Sequence, residues 1–196
     1  MSLRADLALI ADLVPHGARV LDVGCGDGAL IAHLRDHKAA DARGIELSMR
    51  NVADAVARGA SVIQGDADAD LADYPSDAFD IAILSRTLQA TQRPDRVLAE
   101  LLRIARRAIV SFPNFGHWRV RRGLLLNGRM PMTPALPATW YDTGNIHLCT
   151  IADFFELVAS MGWRVEQARY LSNGRLRSAA FANLCADEAV FLLGRE

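Results

Sequence analysis

Short apolar runs alternate with longer amphipathic stretches through most of the chain, a rhythm that predicts strands and helices laid down in turn. Met1 to Val14 carries Arg4, Asp6 and Asp12 among its leucines and predicts an amphipathic helix rather than a signal peptide. Arg19 to Val23 reads as a strand, with a helix from Ala29 to His37 behind it. Asp41 to Glu46 predicts a second strand, Ser48 to Arg58 a helix with Ser48 as cap and Gly59 as stop, and Ser61 to Gln64 a third strand. Phe79 to Leu84 is continuously apolar apart from Asp80, as expected of a strand buried in a parallel sheet, with Ser85 at its tip. Pro94 opens a helix to about Ile104, and Ala108 to Phe112 gives a fifth strand. Thr150 and Asp153 look like cap and third-position acid of a helix that runs to Met161 and stops at Gly162. Trp163 to Tyr170 and Glu188 to Leu193 follow as two strands without an intervening helix, and are expected as antiparallel neighbours at one sheet edge.

This is an α/β pattern, and 196 residues suit one domain spanning 1–196. A hydrophobic fraction of 51% with mean hydropathy of +0.10 describes a soluble globular chain, and no stretch is apolar enough to span a membrane. With 22 basic and 23 acidic residues, and no basic run longer than the Arg119, Arg121, Arg122 group, nothing points to nucleic acid. Cys25, Cys149 and Cys185 are odd in number and scattered, which suggests reduced thiols in a cytoplasmic protein.

The chemistry concentrates after the first strand, where Asp22-Val-Gly24-Cys25-Gly26-Asp-Gly28 leads into a helix. A tight turn whose backbone approaches a ligand, followed by a helix N-terminus, explains the string as a nucleotide-cofactor loop. The dinucleotide fingerprint can be laid on Gly24, Gly26 and Ala29. Against it, Asp22 would face pyrophosphate, and Gly28 adds one more position without a side chain beside the ligand. The loop resembles the first motif of class I S-adenosylmethionine-dependent methyltransferases, whose ligand carries an ammonium group that a carboxylate can meet directly or through water. Glu46 ends the second strand, twenty residues beyond Gly26, where a carboxylate can accept ribose hydroxyls. In the methyltransferase pattern Asp66, after the third strand, receives the adenine amino group, with Leu47, Ala67, Cys25 and Ser85 completing the pocket. Asp68, Asp70 and Asp73 read as a solvated acidic turn. The resemblance implies S-adenosylmethionine or S-adenosylhomocysteine as cofactor. It also implies a Rossmann-like fold with a seven-stranded, mostly parallel sheet in the order 3-2-1-4-5-7-6 and an antiparallel C-terminal hairpin.

The connection from Pro113 to Cys149 is too long for an ordinary loop and too rich in aromatics for disorder, with Phe115, Trp118, Trp140 and Tyr141. Its four arginines against Asp142 give it a net charge of +3, leaving −4 for the remainder. It is expected to serve as lid, acceptor pocket or docking surface. His117, Tyr141 and His147 are the weak candidates for a catalytic base, with the plainer alternative that they fix the connection by hydrogen bonds. His33 and His37 have the spacing of a helical metal pair, but no third ligand is evident and no metal is expected.

The strings Leu84-Ser-Arg-Thr-Leu-Gln89, Ser111-Phe-Pro-Asn-Phe-Gly-His-Trp118, Gly128-Arg-Met-Pro-Met-Thr133 and Trp140-Tyr-Asp-Thr-Gly-Asn-Ile-His147 are similar to those of the methionine biosynthesis protein MetW family. Arg86 departs from the family's usual glutamine and Gly144 from its usual proline. The resemblance implies a cytoplasmic S-adenosylmethionine-binding protein of methionine synthesis that acts with homoserine O-acyltransferase. The alternative is a working methyltransferase on a small acceptor.

Overall fold

The computed structural model describes residues 3–195, so Met1, Ser2 and Glu196, at the ends of the expected domain and first helix, lie outside the described residues. The N-terminal helix α1 spans Ala5–Leu13 and leads into β1, Arg19–Val23. Then come α2 (Ala29–Lys38), β2 (Asp41–Glu46), α3 (Met49–Ala57) and β3 (Ser61–Gln64). A 3-10 turn at Asp70–Asp73 precedes β4 (Phe79–Ser85), and a second at Leu88–Ala90 precedes α4 (Pro94–Ile104). The rest is β5 (Ala105–Pro113), α5 (Trp118–Asn127), α6 (Ile151–Ser160), β6 (Trp163–Ser172), β7 (Arg175–Arg177), α7 (Ala182–Cys185) and β8 (Glu188–Arg195).

These strands form one eight-stranded sheet in the order β3-β2-β1-β4-β5-β8-β6-β7. The first five strands are mutually parallel, and β8 enters antiparallel between β5 and β6. This is the expected α/β order with one strand more than the expected seven. The extra strand β7 folds back on β6 through Asn173-Gly174, both at positive φ (50° and 71°), the primed hairpin turn that Asn-Gly favours. The last two long strands are antiparallel neighbours as expected, but β7 and the short α7 stand between them in sequence, where no helix was expected.

Alternation along the strands divides the core between two faces. On one, Leu21, Val23, Ile45, Leu84 and Phe112 pack with α4 and α6; on the other, Val20, Ile81, Ile83 and Ile109 pack with α1, α2 and α3. α4 shows why the pattern works: Val97, Leu98, Leu101 and Leu102 recur at helical spacing and are all buried. Asp68, expected to be a solvated charge, accepts hydrogen bonds from the backbone N–H groups of Gln92 and Arg93 (2.8 and 3.0 Å) and so caps α4 from outside. Asp70 likewise accepts from Asp66 N (2.7 Å). Thr150 and Asp153 cap α6 reciprocally, as the spacing predicts. Ser48 occupies the cap position of α3 without a side-chain bond.

Within 113–149 the structure has a helix, α5, that the sequence pattern does not announce. It buries Val120 alone, so no apolar stripe marks it. Asn114 anchors both ends of the connection. Its Oδ1 accepts from the N–H groups of Gly116 and Ile151, and its Nδ2 donates to the carbonyls of Asn183 and Ala186. Asn114→Ala strands several buried backbone groups at once, and is expected to lower stability by about 3 kcal/mol in urea titration. A loss below ~0.5 kcal/mol would show that the connection holds itself.

Candidate functional site

The loop between β1 and α2 holds three glycines at positive φ, but the space around each differs. A Cβ on Gly24 would stand 2.5 Å from Thr87 Oγ1, and one on Gly28 would stand 2.9 Å from Ala55 Cβ. Gly24 is therefore required by the close approach of the chain after β4, and Gly28 by the packing of α2 on α3. Gly28, expected beside a ligand, lines neither of the two cavities at this end of the sheet. Gly26 alone has open space where its Cβ would be.

Two cavities meet at Gly24. The first, about 690 Å³, is lined by Asp22, Gly24, Cys25, Gly26 and Ser85 together with Leu3, Arg4 and Leu7 from the N-terminal helix region. The second, about 290 Å³, is lined by Gly24, Glu46, Leu47, Asp66 and Ala67 and by Arg86 and Thr87. All the pocket residues expected from sequence except Gly28 thus border one continuous region across the C-terminal tips of β1 to β4, where open α/β sheets take ligands.

Asp22 is 2% exposed, and its Oδ1 has no hydrogen-bond partner. Burial, helped by the negative charge of Glu46 and opposed by Arg4, pushes its carboxyl up to about 7. Glu46 is used differently. Its carboxylate accepts from Gly26 N (2.8 Å), Ser48 N (2.9 Å) and Asn51 Nδ2 (3.3 Å), which ties the glycine loop to the start of α3. A carboxylate has about four acceptor positions, so room for a further donor remains. Asp66 Oδ1 accepts from Asp68 N (2.9 Å), which sets the bend after β3. The Cys25 thiol is raised far above its ordinary value by burial and by the nearby acids, so it stays protonated and serves as a small side chain of the loop.

Four charged residues at the rim escape the sequence pattern. Asp6, expected among the polar positions of an amphipathic helix, is 1% exposed. Arg4 donates to it through Nε and Nη2 (3.1 and 2.9 Å), and Ser85 Oγ also donates to it (3.3 Å). Burial works to raise Asp6, but the bonds and charges of Arg4 and Arg86 together bring it below the usual carboxylate range. Arg86, at φ 52°, reaches Glu188 at the start of β8 through Nε and Nη2, both at 2.6 Å. Only Arg4 and Asp6 carry a local signal, their i, i+2 spacing; Arg86 and Glu188 are 102 residues apart.

The weak candidates for a base are not brought together. His117 caps α5, its Nδ1 accepting from Arg119 N (3.3 Å), and burial lowers its pKa so that it remains neutral for that role. Tyr141 is 74% exposed and stacks edge-on with Trp140. His147 is exposed, its Nε2 lying 3.4 Å from Gln92 O. None of the three lines either cavity.

The raised Asp22 carboxyl has a consequence for stability. Its proton is held in the folded state up to about pH 7 but is lost from the unfolded chain above about pH 4. Its contribution is therefore largest below pH 4 and falls as pH rises through that window, by up to about 1.4 kcal/mol per unit. Relative to Asp22→Asn, the wild type should melt progressively lower between pH 5 and pH 8. Parallel curves would show that Asp22 ionises normally.

The fold recurs in solved structures of low sequence identity. A methyltransferase from Mesorhizobium loti, described as S-adenosylmethionine-dependent, superposes with a TM-score of 0.73 at 17% identity, covering 97% of this chain and 98% of that one. The cyclase SpnF superposes at 0.69 with 19% identity, over 96% of this chain and 80% of that one. In sequence, the chain is 33% identical over its whole length to the bifunctional methionine biosynthesis protein MetXA/MetW of Rhodopirellula baltica, and spans 33% of that protein's length. The family model of methionine biosynthesis protein MetW matches residues 4–193. The chain belongs to the methionine biosynthesis protein MetW family.

Proposed function

We propose that the protein binds S-adenosylmethionine, or S-adenosylhomocysteine, across the tips of β1 to β4, and works in the cytoplasm beside homoserine O-acyltransferase in methionine biosynthesis. The observation that carries the first part is the buried, unpartnered Asp22 Oδ1 in the larger cavity. Such an atom costs free energy until a donor meets it, and an ammonium group fits both its charge and its position at a strand tip. On the other side of Gly24, Glu46 would take a ribose hydroxyl and the second oxygen of Asp66 the adenine amino group. Bound there, S-adenosylmethionine would supply an activated methyl group.

The partnership rests on the fused MetXA/MetW relative, since joining two modules in one chain raises their effective concentration for each other. The surface best suited to it is α5. Leu125 and Leu126 are 84% and 69% exposed there, beside the exposed Arg119, Arg121 and Arg122. An apolar centre with a basic rim suits an acidic partner surface. A methyltransferase acting on a small acceptor is the second reading, favoured by the neighbour described as S-adenosylmethionine-dependent. It stands lower because the charged group at the β4 tip, Arg86, is engaged by Glu188, and none of His117, Tyr141 and His147 borders the cavities.

S-adenosylhomocysteine at a hundred times its dissociation constant is expected to add about 2.7 kcal/mol to stability, read as a higher melting temperature, with NAD giving no shift. The reverse result would refute the cofactor assignment. Because Glu46 also holds Gly26 and Ser48, Glu46→Gln is the cleaner variant. It is expected to weaken binding by about tenfold in calorimetry, the loss of a charge-assisted hydrogen bond.

The protein and homoserine O-acyltransferase are expected to co-elute from a sizing column and to do so less when Leu125 is replaced by Glu, a change that leaves the melting temperature unaltered. Separate elution together with methyl transfer to a cell-extract metabolite would favour the second reading.

A further inference from the structure

Arg4 and Asp22 line the same 690 Å³ cavity, one from the chain entering α1 and the other from the tip of β1. Arg4 spends Nε and Nη2 on the buried Asp6, with Nη2 also 3.3 Å from Ser85 Oγ, and Nη1 has no hydrogen bond among the described residues. Its side chain is 51% exposed although the carboxylate that grips it is 1% exposed. A guanidinium fixed along one edge by a buried acid, with its other edge open to a cavity, is arranged to receive an anion. The same cavity holds a buried carboxylate oxygen without a donor. One cationic and one anionic anchor facing one space match the two charges of an α-amino acid.

We propose that Arg4 is the anchor for the α-carboxylate of the ligand's amino-acid end, with Asp22 receiving its ammonium group and Asp6 and Ser85 holding the guanidinium in place. The N-terminal segment is thereby part of the ligand site, and the site selects ligands that keep an intact amino-acid end over nucleosides that lack it. This inference rests on the cofactor reading above and goes past it in assigning a residue and a selectivity to the larger cavity.

The charges around the pair are consistent with that role. Asp6 and Arg86 face it from α1 and the β4 tip, Glu46 from β2, and Asp27 from the loop before α2. Arg4 already acts on Asp22 from where it stands, working to lower its carboxyl. Arg86 remains committed to Glu188 by two 2.6 Å bonds, and Arg58, which also lines the cavity, donates through Nη2 to the exposed Asp27 (2.8 Å), whereas Arg4 is gripped by a buried acid.

Calorimetry with three ligands separates the parts: S-adenosylhomocysteine, its decarboxylated analogue that keeps the amine, and methylthioadenosine, which lacks both groups. The wild type is expected to bind them in that order of decreasing affinity. Arg4→Gln should weaken S-adenosylhomocysteine at least tenfold while leaving the other two unchanged, and Arg4→Lys should recover part of the loss. Asp22→Asn should weaken the first two and spare methylthioadenosine. Retained methylthioadenosine binding shows in each case that the variant is folded. Equal loss for S-adenosylhomocysteine and its decarboxylated analogue in Arg4→Gln, or no loss at all, would overturn the assignment of Arg4 while leaving the cofactor reading standing. Failure of the wild type to bind any of the three would defeat that reading, and this inference with it.

Discussion

A carboxylate buried at the tip of a central parallel strand is the constraint around which this end of the molecule is arranged. β1 is flanked by β2 and β4 and covered on both faces, so Asp22 leaves the sheet already out of water. An acid in that position is costly unless something meets it. Neighbouring features follow from the crowding: Gly24 admits Thr87 where no Cβ would fit, and Glu46 spends two acceptor sites on the backbone of the glycine loop and the start of α3. The loop is thus held from the β2 side as well as by its own turn, while the Asp22 oxygen is left without a donor. Unpaired buried groups are uncommon in native proteins, and each calls for a physical reason.

The rim is braced by ion pairs that join distant parts of the chain. Asp6–Arg4 couples the N-terminal helix to Ser85 at the β4 tip, and Arg86–Glu188 couples that tip to the start of β8. Buried pairs of this kind add little net stability, because desolvation offsets most of the attraction. Burial accordingly raises Glu188 even with Arg86 bound to it. What such pairs do supply is direction, since a two-point guanidinium–carboxylate contact fixes both partners. Arg86 holds φ 52° while bonded this way, a conformation that a non-glycine residue keeps only when its surroundings enforce it. A glutamine at this position could not form the same charged fork with Glu188.

Much of this was legible in the chain. The strands of the parallel half and helices α2, α3, α4 and α6 announce themselves because each buries a periodic apolar face or ends at a glycine or a capping residue. The acids at strand tips were legible for the same reason, as breaks in otherwise buried runs. What escaped was set by partners far away in sequence. Asp6 looks like a surface charge until Arg4 and Ser85 enclose it, and Asp68 looks solvated until Gln92 and Arg93 turn their N–H groups on it. Helix α5 escaped because it packs through Val120 alone. The β7 hairpin had a local signal, Asn173-Gly174, which the length of the surrounding polar stretch obscured.

The fold fixes less of the function than the site does. The same architecture is shared with a protein described as a methyltransferase and with one described as a cyclase, so topology alone does not decide what happens at the strand tips. The discriminating evidence lies in which side chains are committed. His117 is engaged as a helix cap and Arg86 as an ion-pair partner, so neither is free for proton transfer or to receive an acceptor. Asp22 Oδ1 and Arg4 Nη1 instead keep unused hydrogen-bonding capacity beside the larger cavity. Unused capacity of that kind is what the proposed recognition of a zwitterion requires, and the apolar, basic surface of α5 is what the proposed association requires.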